Sequence, residues 1–266
     1  MIVMFRIGWL QILNILFFIA MVIVNGLANS LPLNGRTTGQ ISGQYPNLFV
    51  PAPVTFFIWA IIYLFLLLFC IYQAASLMDD VRTGVSKKEV IVGKIDVLFI
   101  LSCILNIAWL FAWHYNLVLW SVLIMIGLLI TLIAINYRLH KGAQYVKGTE
   151  KWFVHVPFGI YLGWISIAVI ADITAWMVSI GWSRWGISEV AWAVAMIILA
   201  SAITIWVLLR KHNVPYAWVV VWALAGIVIK QYEAASTFNT VAGTATFAGV
   251  TLMLLIFAHM ARYRKN

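Results

Sequence analysis

Asp172 is the residue in this chain whose position most needs a chemical reason. It stands in the run SIAVIADITAWM, six residues before the outer end of an apolar stretch at 154–178. Ionisable groups inside hydrocarbon are costly and usually face a bundle interior or a cavity. Two kinds of work are open to such a carboxylate: a helix-packing or interfacial hydrogen bond, or contact with a ligand or a proton. Asp96, at the inner edge of another apolar run, reads as interfacial. The amides follow. Asn14, Asn25 and Asn106 all lie in apolar runs, and an Asn amide, unlike a Ser or Thr hydroxyl, generally needs a partner beyond its own helix. Asn106 precedes Trp109 by three residues and Trp113 by seven, so the three share one helical face. That stripe can line a ligand cavity or tie helices together with bulky packing.

The chain has 14 tryptophans. Trp9, Trp120, Trp152, Trp182, Trp185 and Trp218 fit interfacial belts. Trp59, Trp109, Trp164, Trp206 and Trp222 fall nearer the middle of apolar runs, where interior indoles would offer broad, rigid walls with one N–H each. Such walls suit a flat, largely apolar ligand, and packing alone is the alternative for any one of them. His114, His140, His155, His212 and His259 read as interfacial, and no pair has metal-ligand spacing. Cys70 and Cys103 lie in apolar runs and read as buried side chains. There is no Walker motif, no catalytic triad arrangement and no mid-membrane lysine, Lys230 standing at a helix end.

These residues must be positioned by membrane helices. Of 266 residues 64% are hydrophobic, and 17 Lys and Arg stand against only 8 Asp and Glu; the mean hydropathy is +1.01. This composition excludes a soluble enzyme, a disordered chain and an ordinary nucleic-acid-binding domain, and predicts an all-α, multi-pass membrane bundle. Eight spans can be drawn, at 7–28, 54–74, 97–113, 116–135, 154–178, 190–209, 216–229 and 240–261. The third is short and can borrow a turn from 93–96; the seventh can start at Val214–Pro215, where proline is tolerated. The first span is too long for a cleaved signal peptide and is followed by more membrane protein.

With the N-terminus inside, fourteen of the seventeen Lys and Arg fall in inner segments, and only Arg36, Arg184 and Lys230 fall outside. That asymmetry predicts both termini on the cytoplasmic side, here of the cell membrane, and contact with anionic lipids. The segment 29–53 holds one charge and many Pro, Gly and apolar residues, so it is expected to fold back over the bundle as a cap. The almost absent link at His114–Tyr115 forces an antiparallel hairpin. Gly159–Gly163 forms a G-x-x-x-G pair, and Ala242–Gly243 and Ala248–Gly249 are further small-residue steps, all signals for close helix contact.

The stretch VPAPVTFFIWAIIYLFLLLFCIYQA at 50–74 resembles the second-helix signature of the tryptophan-rich sensory protein (TspO/MBR) family, which includes the mitochondrial translocator protein or peripheral benzodiazepine receptor. Trp59 to Tyr63 match its W-x-x-[LI]-Y element. LNIAWLFAWH supplies the N-x-x-W of the next helix through Asn106, Trp109 and Trp113. Val156–Pro157, and Trp164 eight residues before Asp172, match the fifth helix. The chain departs from the pattern at the split Pro51–Ala52–Pro53, at His114 in place of an aromatic, and at Asp172 in place of Asn, which bears on ligand charge. The resemblance covers about residues 7–178 and implies a five-helix bundle, here 1–180, with 181–266 as a three-helix extension.

The resemblance further implies a homodimeric membrane sensor or regulator whose capped pocket takes haem, protoporphyrin or a sterol-like molecule as ligand, with no cofactor required. The site residues it points to are Trp59, Tyr63, Asn106, Trp109, Trp113, Trp164 and Asp172. The indoles would serve as walls, and Tyr63, Asn106 and Asp172 would orient the ligand. The alternative is a secondary transporter of such a ligand, proton-coupled through Asp172, although no inverted repeat is visible. An enzymatic role lacks a nucleophile, a metal set or an acid–base pair.

Overall fold

Backbone N–H and C=O groups cannot remain unpaired in hydrocarbon, so each apolar run closes its hydrogen bonds within itself as a helix. The computed structural model describes residues 2–31, 33–75, 87–95, 97–140, 148–235 and 239–263. Asp96 and the basic residues Arg82, Lys141, Lys147, Arg264 and Lys265 lie outside them. Among the described residues there is no strand.

Among the described residues there are ten α-helices: α1 (Ile2–Ser30), α2 (Thr38–Ser42), α3 (Ile58–Ala74), α4 (Lys87–Ile95), α5 (Leu98–His114), α6 (Val118–His140), α7 (Val156–Ser179), α8 (Glu189–Lys211), α9 (Val214–Ala235) and α10 (Thr240–Tyr263). Each of the eight spans drawn from the sequence coincides with one of them. Seven are long and apolar enough to cross a membrane. The eighth, α5, has 17 residues, roughly 26 Å at 1.5 Å per residue against a hydrocarbon core of about 30 Å. The extra turn expected from 93–96 does not lengthen it, because Gly93–Ile95 belong to α4. By contrast, α9 does begin at Val214–Pro215, and it continues past Ile229 to Ala235.

The helices α1, α3, α5, α6 and α7 pack around one another, with α5 along α6 and α6 along α7. Amides hold them in register. Asn14 Nδ2 on α1 donates to Gln73 Oε1 on α3 at 3.0 Å, and Asn136 Nδ2 on α6 donates to the Phe158 carbonyl on α7 at 3.2 Å. Interhelical hydrogen bonds of this kind contribute about 0.6 kcal/mol each on average. The helices α8, α9 and α10 pack on one another, and α9 joins them to the rest along α7. The G-x-x-x-G pair makes that junction: a Cβ on Gly163 would lie 2.9 Å from the Tyr216 carbonyl oxygen and 3.1 Å from Val219 Cβ. The small residues at 159 and 163 are thus the surface onto which α9 docks.

The turn between α5 and α6 is closed by Asn116 in the left-handed region, φ 56°, a conformation Asn tolerates better than most residues. At this end of the bundle the segment between α1 and α3 lies over the helix ends. It contains α2 and a short 3-10 turn, Pro53–Phe57, that leads into α3. Thr37 caps α2 in a reciprocal capping box with Gln40, and Ile41, Phe49, Val50 and Ala52 turn inward and are buried.

Candidate functional site beneath the cap

The W-x-x-I-Y run on α3, the Trp109 and Trp113 stripe on α5 and Trp164 on α7 converge just below the cap. A column of rings results. Trp59 stacks on Tyr63 at 5.8 Å between centroids and on Trp109 at 5.7 Å. Trp109 stacks on Trp113 at 6.2 Å, and Trp113 meets Tyr45 of the cap at 5.8 Å. Trp164 meets Trp59 edge-on, at 6.2 Å and 83°. Each such pair contributes about 0.5–1.5 kcal/mol beyond its area, so the ladder is a rigid wall.

Beside this wall is a cavity of about 40 Å³, lined by Trp59, Trp109, Trp113, Trp164 and Asp172, by Ser42, Val50 and Pro51 of the cap, and by small residues of α7 at Ala168 and Ala171. Asp172 is 4% exposed. Its Oδ2 accepts a hydrogen bond from Trp109 Nε1 at 3.3 Å, and Ser121 of α6 faces the same carboxylate. Trp164 Nε1 is buried and has no hydrogen-bond partner among the described residues. The site therefore offers apolar faces, one carboxylate and one unused N–H donor.

Of the seven residues expected at the site, five line the cavity. Asn106 and Tyr63 do not. Asn106 Oδ1 accepts from Asn25 Nδ2 at 2.8 Å, and its Nδ2 donates to Tyr161 OH at 3.1 Å. The amide is thereby used in joining α1, α5 and α7. Tyr63 stands one helical turn below Trp59, at the foot of the ring column, with its hydroxyl buried.

Two of the mid-span indoles expected in the interior are exposed instead. Trp206 is 56% exposed on α8, with the Lys211 ammonium 5.8 Å from its ring centroid. Trp222 is 39% exposed, at the edge of the bundle, where its Nε1 donates to the Thr55 carbonyl at 3.0 Å. The histidines differ as well. His114 is fully buried rather than interfacial, since the cap covers the end of α5 and Asn34 Nδ2 donates to its carbonyl at 3.0 Å. His212 and His259, distant in sequence, pair at 3.2 Å between Nδ1 and Nε2.

Sequence reasoning missed what holds the cap down. On one flank Trp113 Nε1 donates to the Thr38 carbonyl at 3.2 Å, and Tyr45 OH donates to Asn116 Oδ1 at 3.1 Å. On the other flank is α9. The Ala52 amide donates to the Gly226 carbonyl at 3.0 Å, Trp222 Nε1 to the Thr55 carbonyl at 3.0 Å, Lys230 Nζ to the Asn47 carbonyl at 3.2 Å and Gln231 Nε2 to the Leu48 carbonyl at 3.1 Å. The only hint in the sequence was a lone Lys at the outer end of a span.

Compared with known proteins, residues 11–258 match the family model described as TSPO-like protein. The match thus takes in α8, α9 and α10 as well as the first five spans. No curated protein and no solved structure matches the chain.

Proposed function

Since the chain belongs to the TSPO-like family, we propose that it is a membrane sensor or regulator that binds a flat, largely apolar ligand, of tetrapyrrole or sterol-like shape, beneath its cap. The observation that carries this reading is the cavity walled by four indoles and bounded by Asp172. Concave, mostly apolar sites with a few polar groups are where small molecules bind. At about 40 Å³ the cavity holds little more than a water or two. Occupation by a planar molecule therefore requires the cap and the indoles to part, which couples binding to a change at the membrane surface. With the termini cytoplasmic, as the charge asymmetry indicates, that surface is the outer one.

Absorbance titration of the purified chain with protoporphyrin, and with a sterol analogue in competition, tests the reading. Saturable binding is expected, weakened at least about tenfold by Trp109→Ala, which removes a wall and the donor to Asp172. Trp206→Ala, on the outward face of α8, is expected to leave it unchanged. No binding, or binding indifferent to Trp109, defeats the proposal. The position of Asp172 in the cavity also favours a second reading, proton-coupled transport of the same ligand. Proteoliposome uptake that depends on a pH gradient in the natural chain and loses that dependence in Asp172→Asn would select it.

A further inference from the structure

The reading above concerns the shape of the ligand; the charge of the lining bears on its chemistry. Among the described residues that line the cavity there is no Lys, Arg or His, and there is one carboxylate. The donors that face Asp172 are the indole N–H of Trp109 and the hydroxyl of Ser121, both neutral. Around the carboxylate stand Trp59, Trp109, Trp113 and Trp164, with Trp59 and Trp109 stacked within the ring column and Trp109 presenting its N–H edge to Asp172. A carboxylate that meets only neutral donors, in an apolar lining without a cation, is the inverse of an anion site. It is the arrangement that recognises a cation with an apolar body, through one ionic contact in surroundings of low dielectric.

We infer that the ligand of this site is a flat aromatic molecule carrying a positively charged nitrogen, seated with that nitrogen against Asp172. The inference rests on the proposed ligand-binding role and narrows it. A molecule whose acidic groups must enter the cavity would set like charge against Asp172 with no lining cation to offset it, and would be rejected. Trp164 Nε1, buried without a partner, is left to donate to a neutral acceptor on the same ligand. The charge selection is exerted by Asp172 on α7, so it does not depend on how far the cap moves.

Three bicyclic probes of near-equal size separate the possibilities: cationic N-methylquinolinium, neutral 1-methylnaphthalene and anionic 1-naphthoate. Each is titrated calorimetrically into the full chain in nanodiscs of zwitterionic lipid, and the heat into empty nanodiscs is subtracted. The cation is expected to bind at least about tenfold more tightly than the neutral probe, a difference within reach of one ionic contact in surroundings of low dielectric. The anion is expected to bind most weakly. Asp172→Asn, which keeps the shape and removes the charge, is expected to erase the preference while leaving the neutral affinity within about twofold; Asp172→Glu is expected to retain it.

Equal affinities across the three probes in the natural chain overturn the inference and leave the ligand-binding role standing. A cation preference that survives Asp172→Asn overturns the assignment to that carboxylate. Failure of all three probes to bind overturns the inference, while the protoporphyrin titration decides the ligand-binding role separately. The probe series on the natural chain is informative even if a variant does not fold.

Discussion

The cap is held on two flanks, and the flanks are built differently. Towards the α5–α6 hairpin, side chains reach across: Trp113 to the Thr38 carbonyl, Tyr45 to Asn116, and Asn34 to the His114 carbonyl. Towards α9, backbone approaches backbone, with the Ala52 amide on the Gly226 carbonyl, and three side chains of α9 reinforce the seat. The hairpin flank shares a residue with the cavity wall, since Trp113 lines it. The α9 flank meets the wall only through the cap, at Pro51, because no residue of α9 itself lines the cavity. Closure and ligand contact are therefore mixed on one side and separable on the other, and the two can be broken one at a time.

The largest effect is expected from the separable side. A Cβ on Gly226 would stand 2.9 Å from Pro51 Cβ and would run into the Thr55 side chain, so the cap can sit on α9 only while residue 226 is glycine. Gly226→Val should cost about 1–3 kcal/mol by overpacking, relieved in part by lifting residues 51–55. The expected outcome is a fall of several degrees in the midpoint of thermal unfolding in detergent, together with faster proteolysis within the cap. The helical walls on α3, α5 and α7 remain in place, so the neutral probe should still bind. A variant with natural stability and natural protease resistance would show that the α9 flank does not hold the cap.

Much of this fold could be read from hydropathy alone, and the reason lies in the solvent. A bilayer forces apolar runs into helices, so eight spans emerge from composition, and a carboxylate such as Asp172 is conspicuous against so uniform a background. What could not be read was which face each residue presents. Trp206 and Trp222 look like Trp59 and Trp164 in the sequence, yet Trp206 points outward and Trp222 lies half-exposed against Thr55, because lipid and protein interior are equally apolar and an indole suits both. Asn106 was assigned to the ligand because its partners, Asn25 and Tyr161, come from helices far away in the chain. The α9 seat was hidden for a related reason: Gly226 reveals its purpose only when Pro51 and Thr55 are laid against it.

On the hairpin flank, Trp113→Phe should act on both functions at once. It removes the N–H that donates to the Thr38 carbonyl, a net loss of about 0.5–1.5 kcal/mol. It also narrows the wall next to Trp109. The expected result is a smaller loss of thermal stability than in Gly226→Val, accompanied by a severalfold loss of affinity for the planar probe that Gly226→Val does not share. Equal losses of affinity in the two variants would mean that the flanks are not separable, and that closure of the cap itself sets affinity.

The smallest effect should come from Tyr45→Phe. Its hydroxyl donates to Asn116 Oδ1 at 3.1 Å near the surface, and an exposed hydrogen bond of this kind contributes roughly 0.5 kcal/mol. The ring contact with Trp113 survives the substitution. Burial pushes the Tyr45 phenol above its ordinary value, with Arg36 pulling it down and Asp172 pushing it up. It stays protonated and donating throughout the neutral range, because a raised phenol loses its proton only above its ordinary titration range. The loss in Tyr45→Phe should therefore be the same at any pH from about 5 to 9, below the ordinary phenol value of about 10. A loss that vanished towards alkaline pH within that window would mean that the natural phenol ionises there, and that the hairpin flank is held by something other than this donor.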